Sequence, residues 1–202
     1  MKEYEHLFEH IQHTTAQKLY RCMPSRIPEY YLNVGLHWHN EFEINFIRDG
    51  VAYCRIGMQT YELHKGDIII KVPGILHDTH IQDGGFVYYD TLIFRAELLG
   101  IGEYERSYIE IFGRLINQKD AVKNPIRPTD IGYDRISSIL NEAVEAAGQN
   151  SPLSDLLLKS RLTELLYELV RNEYIVKNEF SAKLDADMEI LQPVLKYIAD
   201  NY

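Results

Sequence analysis

The stretch Gly35–Gly50, "GLHWHNEFEINFIRDG", carries two histidines one residue apart, His37 and His39, and a glutamate, Glu43, four places after the second. Successive side chains of a β-strand point to opposite faces. Read as one strand from Leu36 to Ile47, the stretch puts His37, His39 and Glu43 on one face and Trp38, Phe42, Ile44 and Phe46 on the other. One face is suited to a core and the other to a site. Imidazole nitrogen and carboxylate oxygen suit divalent Zn, Ni, Mn or Fe. A fourth ligand has to come from another strand, and His77, just after the turn Pro73-Gly74, is the candidate. An antiparallel strand with one wet and one dry face shows the same alternation with no site at all. The strand by itself leaves both readings open.

Short alternating runs continue on either side of this stretch. Val51–Ile56 and Thr60–Leu63 flank Gly57-Met58-Gln59 and read as a hairpin. The β-branched run Asp67–Val72, the short His77–Ile81 and Phe86–Phe94 are three more strands, separated by glycine-containing turns. Many short strands with turn signals between them argue for a sandwich or barrel. Composition changes near residue 95, after which helical periodicity dominates. Ala96–Gln118 reads as helical, and Lys119–Pro128, with two prolines, as a linker. A helix follows from Thr129 or Asp130 through Ala147, with Gly148 ending it. Ser151-Pro152 is a helix start, with serine at the cap and proline at the first helical position. That helix is expected to reach Val176, and a last one to run from Asp187 to Tyr202 with Pro193 in its first turns.

A chain of 202 residues with 46% hydrophobic content buries a sizeable core. The net charge of −9 gives no electrostatic footprint for nucleic acid or anionic lipid. The two cysteines, Cys22 and Cys54, are too few for a disulfide framework. The polar N-terminus shows no signal peptide, and no apolar run approaches a membrane span. A cytoplasmic protein is expected, with no membrane partner. The fifteen tyrosines suit half-buried strands and also suit the wall of a small-ligand pocket.

"HWHNEFEINFIRDG" resembles the first motif of the cupin superfamily, with His37, His39, Glu43 and Gly50 at its four places. "GDIIIKVPGILH" resembles the second, with Gly66, Gly74 and His77 at the family's spacing. Three positions depart from the pattern: Tyr31 and Ile81 replace an expected glycine and asparagine, and Pro73 sits one place late. The resemblance implies a mainly β fold with added α, a cupin-like double-stranded β-helix (jelly-roll) barrel followed by a helical segment. It implies that His37, His39, Glu43 and His77 line the barrel interior and bind a ligand, with a divalent metal possible there but not required. The apolar face of the histidine strand then packs outward. Unpaired polar burial is costly, so such a cluster must be solvated, paired or metal-bound.

A barrel followed by a leucine-rich helix and by "MEILQPVLKYIADNY" resembles the effector-binding half of AraC-type transcription regulators. In that family the barrel binds a small molecule, helices dimerise, and a helix-turn-helix domain reads DNA. The resemblance implies an effector-binding barrel over 1–95, a helical dimerisation segment over 96–186, and the start of a linker or DNA-binding domain over 187–202. The implied partners are a small-molecule effector, a second copy of the chain, and DNA only through a further C-terminal domain. No catalytic residue is implied. The rival reading is a metal-dependent cupin enzyme, an oxygenase or sugar isomerase, for which Glu41 and His80 are the available acid–base groups.

Overall fold

The longest strand, β3 (Phe42–Ile56), organises the molecule by belonging to two sheets. Its first half, Phe42–Gly50, pairs antiparallel with β7 (Val87–Phe94) on one side and β5 (Ile68–Lys71) on the other. Strand β1 (Tyr20–Ile27) adds to the far edge of β7. The second half, Val51–Ile56, pairs with β4 (Gln59–His64) and β6 (His77–His80), and β2 (Val34–His37) adds to β6. A computed structural model describes residues 2–178 of the chain, and the helix expected from Asp187 lies outside them.

The changeover within β3 is a bulge. Ile47 faces Tyr89 and Asp49 faces Tyr88, so Arg48 is the extra residue. An inserted residue bends a strand and shifts its alternation by one. Before the bulge Phe42, Ile44 and Phe46 point outward and Ile47 points inward; after it Ala52 and Cys54 are the inward residues. Ile27, Ile47, Ala52, Cys54, Leu63, Ile69, Val87 and Tyr89, drawn from both sheets, pack together as the inner core. A curled antiparallel sheet of this kind, with helices against one outer face, is the cupin-like β plus α fold expected from the motifs.

The outer face of the first sheet is as buried as the inner one. Phe42 stacks between Phe94 and Phe112, with ring centroids 5.2 and 5.4 Å away. Ile44, Phe46, Ile68, Ile70 and Leu92 meet Ile136, Ile139, Leu140 and Ala143 of α2 (Tyr133–Gln149) and Leu158, Leu162, Leu165 and Leu169 of α3 (Pro152–Arg171). Ala146 and Ala147 of α2 lie in the same cluster, so this helix presents small as well as branched residues to the sheet. The start of α3 is as expected. The Ser151 hydroxyl accepts from the Ser154 N–H at 3.1 Å, and the Ser154 hydroxyl accepts from the Ser151 N–H at 2.9 Å.

Several expected boundaries move. The strand expected over 36–47 is interrupted after Trp38. Its backbone groups go elsewhere: Trp38 exchanges hydrogen bonds with Leu7 and Glu9, and the Gly74 N–H donates to the His39 carbonyl. Trp38 consequently leaves the face of Phe42 and packs edge-on against Phe8, 4.8 Å between centroids. The helix expected over 96–118 is three short pieces: a 3-10 turn Ala96–Leu99, a π-helical turn Tyr108–Phe112 and α1 (Gly113–Ile116). Gly100, at φ +61°, ends the first of them.

The expected linker contains β8 (Asp120–Val122) and the fully buried Ile126, which pairs with Ile68. Helix α2 begins at Tyr133, because the Asp130 carboxylate is used in a turn, accepting from the Arg127 N–H. It ends at Asn150 in the left-handed region and not at Gly148. Helix α3 stops at Arg171, where Glu173 takes φ +60° and Tyr174 turns into the core, and β9 (Ile175–Lys177) then pairs with β8. Strand β1 had no expectation, since "YRCMPSRI" mixes charge and proline without clean alternation.

Candidate functional site

Register brings the four expected residues together. His37, the last residue of β2, lies directly opposite His77, the first of β6. Their ring centroids are 4.2 Å apart. His39 stands in the connection after β2, 5.0 Å from His77 between centroids. Glu43 is the second residue of β3 and points inward, its Oε2 3.1 Å from His39 Nε2 and 3.6 Å from His77 Nε2. One ligand-capable atom from each of the four lies within 4.8 Å of the others. His39, Glu43 and His77 are buried and His37 is half-buried.

The ring orientations follow from the hydrogen bonds. His37 Nδ1 lies 2.7 Å from the Gly35 carbonyl, and His77 Nδ1 lies 2.9 Å from the Ile75 carbonyl. A carbonyl only accepts, so each Nδ1 carries a proton and Nε2 is the ring atom left to face the cluster. His77 Nε2 is buried without a hydrogen-bond partner among the described residues. His39 Nδ1 is likewise buried without a partner, 3.7 Å from Glu41 Oε2.

The donor set therefore fits a divalent metal. Three imidazoles and one carboxylate converge, and the donors around one such ion stand about 3–4 Å apart. Two rings are held by backbone carbonyls and the third faces a carboxylate, the outer contacts that orient metal-binding histidines. A bound ion would supply a Lewis-acidic position to an oxygen or nitrogen of a ligand.

Sequence reading missed two neighbours. Lys71 lies directly opposite Glu43, with Nζ 2.6 Å from Oε1, and the pair is almost fully buried. Burial works to raise the Glu43 pKa, but the Lys71 ammonium and the facing rings of His39 and His77 outweigh it and hold the carboxyl well below the usual range. Burial works to lower Lys71, and Glu43 keeps it charged. His77 is pushed down to about 4, by burial first and by the Lys71 charge second. The signal for Lys71 was present in "IIIK": it shares a face with Ile69, inside the barrel. Beyond the ion pair, Asn45 donates to Thr91 at 3.2 Å and Thr91 bonds Ser25 at 2.9 Å, so the polar lining continues into the interior.

The second missed neighbour is Glu9, whose Oε2 is 2.7 Å from His13 Nε2 and 3.6 Å from His37 Nε2. Glu41 is adjacent, accepting from the buried Thr14 hydroxyl at 3.0 Å. His80 does not join the site: it lies on the outside of β6, stacked on Tyr53 at 5.7 Å.

A buried cluster of three histidines and a glutamate in a curled sheet, flanked by helices, matches a known pattern over most of the chain. The family model described as the AraC-like ligand binding domain covers residues 29–166. The chain belongs to that family. All four cluster residues fall within the matched range, as do α1, α2 and most of α3; Glu9 and His13 precede it. The "Uncharacterized HTH-type transcriptional regulator YdeC" of Bacillus subtilis is 26% identical over 107 residues, 52% of this chain and 37% of YdeC. The chain thus matches well under half the length of that relative. Similar solved structures include a cupin protein from Bacteroides fragilis, at 17% identity and a TM-score of 0.37, covering 52% of this chain and 93% of that one. Another is the Cnp3 cupin domain of Schizosaccharomyces pombe, at 13% identity and a TM-score of 0.37, covering 45% and 69%. No helix among the described residues is long and apolar enough to cross a membrane.

Proposed function

We propose that this AraC-like domain is the sensing and self-association part of a transcription regulator. A small polar metabolite binds in the barrel at His37, His39, Glu43 and His77, alone or through a divalent metal held by them. DNA is read by a separate helix-turn-helix domain, and the surplus of acidic residues in this chain accords with that division. The observation that carries the reading is the family match together with a buried, inward-facing polar cluster whose His77 Nε2 lacks a protein partner among the described residues. A structural core has no use for such an orphan, and a ligand-binding barrel does.

Self-association is assigned to α3. Leu153, Leu156, Ser160, Thr163, Tyr167 and Val170 recur at steps of three and four along one stripe. Leu153 is 78% exposed, Leu156 67% and Tyr167 60%. The opposite stripe, Leu158, Leu162, Leu165 and Leu169, is already buried against the barrel and α2. A helix that turns four large apolar residues of one stripe to water, with only the short Ser160 and Thr163 between them, is suited to meet another helix, and a two-fold pair is the commonest closed assembly.

A thermal-shift screen of sugars and other polar metabolites, with and without added zinc, tests the sensing role. A stabilising compound whose effect is lost in His77→Ala supports it. Turnover of such a compound by the purified chain would instead favour a metal-dependent enzyme, a reading that three imidazoles and a carboxylate also fit. A screen in which no compound distinguishes the wild type from His77→Ala overturns both.

A further inference from the structure

The turn before β6 touches two of the four cluster residues through its backbone. The Gly74 N–H donates to the His39 carbonyl at 2.8 Å, and the Ile75 carbonyl lies 2.9 Å from His77 Nδ1. A ligand that displaces either ring therefore acts on residues 73–75.

The same turn is held from outside the barrel by Gln118. Its Nε2 donates to the Pro73 carbonyl at 2.9 Å. A Cβ on Gly74 would stand 2.7 Å from that Nε2, so the turn leaves its glycine face to the Gln118 amide. Gln118 itself takes φ +54°, in the left-handed region, a conformation that persists in a residue with a Cβ only where the surroundings impose it. Its carbonyl accepts from Asn178 Nδ2 at 2.9 Å, and the Asn178 N–H donates to the Lys119 carbonyl at 3.1 Å. Asn178 directly follows β9, which pairs with β8. One strained residue joins the site turn, by its side chain, to the β8–β9 ribbon, by its main chain. Further along the same segment, Asn124 bonds both the N–H and the carbonyl of Ile70, at 2.9 and 2.7 Å, and Ile126 exchanges hydrogen bonds with Ile68. Those contacts anchor the segment along β5; at the turn the contact is that of Gln118.

We propose that Gln118 is a positioning residue that couples the histidine cluster to the β8–β9 ribbon. A ligand seated on His39 and His77 alters how firmly residues 175–178 are held, and the hold on those residues alters the cluster, since such coupling is reciprocal. The proposal rests on the sensing role proposed above. It gives that role an output, because a DNA-reading domain that follows this one in sequence is reached through residues 175–178.

The test is amide hydrogen exchange, read residue by residue by NMR on the whole chain. It compares the wild type, Gln118→Met, Asn178→Ala and the double variant, each checked for an unchanged fold by circular dichroism. Methionine keeps the length of glutamine and removes the donor. Without any ligand, Asn178→Ala is expected to speed exchange of the Gly74 amide about 2- to 10-fold relative to the Thr91 amide of β7, and to add nothing in the Gln118→Met background. A merely structural role would lower stability in both variants independently and leave no such coupling. Zn2+ is the ligand probe: it is expected to slow the amides of residues 74–77 and 175–178 in the wild type, and only those of 74–77 in Gln118→Met. If Gln118→Met does not fold, Gln118→Asn takes its place, since asparagine tolerates the left-handed backbone and falls one carbon short of Pro73. No effect of Asn178→Ala on Gly74, additive effects of the two substitutions, or zinc protection of residues 175–178 that survives in Gln118→Met overturns the proposal. Zinc that moves no amide of the wild type removes the metal from the cluster, and the ligand-free comparison then decides the role of Gln118 by itself. The sensing role stands or falls separately, by the metabolite screen.

Discussion

Lys71 and Glu43 are direct cross-strand partners, 2.6 Å apart between Nζ and Oε1, in the interior of the barrel. The pair sits where a metal-binding carboxylate is expected to act alone, so a fixed cation shares the cluster with any ion that enters. Breaking a buried pair by removing one partner costs about 3–5 kcal/mol, because the remaining charge is left uncompensated. Lys71→Met is therefore expected to lower the urea midpoint markedly in chelator. The same variant is expected to bind Zn2+ more tightly than the wild type, because the ion takes over the compensation of Glu43. A loss of stability that zinc does not reduce, with no gain in zinc affinity, contradicts this competition.

Acid sensitivity follows from His77. Its pKa lies near 6.5 in the unfolded chain and about 4 in the fold. Between those values the unfolded state binds a proton that the native state refuses. Stability therefore falls as pH drops from about 6.5 to about 4, and this contribution is flat above that window. At full extent the effect is on the order of 3 kcal/mol. Urea melts of chelator-treated chain at pH 7 and pH 5 are expected to show the loss, with a shallower dependence in His77→Asn. An identical pH dependence in the variant contradicts the assignment.

Two glycine substitutions are expected to have opposite signs. Gly50 follows the β3 bulge at φ +82°, and a Cβ there would stand 2.1 Å from the Phe86 carbonyl oxygen. That carbonyl accepts from the Val51 N–H at 3.0 Å, so neither strand is free to yield. Gly50→Ala is expected to cost upwards of about 2 kcal/mol, from the left-handed backbone and the collision together. Gly148, in the last turn of α2, has open space around it. Gly148→Ala is expected to stabilise by about 0.5–1 kcal/mol. Chemical denaturation of both variants measures the difference.

The exposed stripe of α3 predicts a dimer that charge disrupts. Leu156→Glu with Tyr167→Glu places two carboxylates on that stripe without touching the buried one. Sedimentation at tens of micromolar, an ordinary working range for such affinities, is expected to show a dimer for the wild type and a monomer for the double variant, with the melting temperature of the barrel little changed. A wild-type monomer removes the stripe as an interface.

The sequence by itself named His37, His39, Glu43 and His77 through the spacing of two short motifs, and it determined the outward packing of Phe42, Ile44 and Phe46 and the start of α3 at Ser151-Pro152. Each is a local property: alternation sets a strand's faces, and a serine hydroxyl caps the backbone three residues on. Only the tertiary structure decided the rest. Trp38 left its expected face because its backbone found partners in Leu7 and Glu9, far away in sequence. The alternation of β3 changed phase at Arg48, where a strand shared by two sheets has to bend. Cross-strand register set Lys71 against Glu43 and His37 against His77. No period within one strand reveals what stands opposite it, and the chemistry of this barrel is made by those opposed pairs.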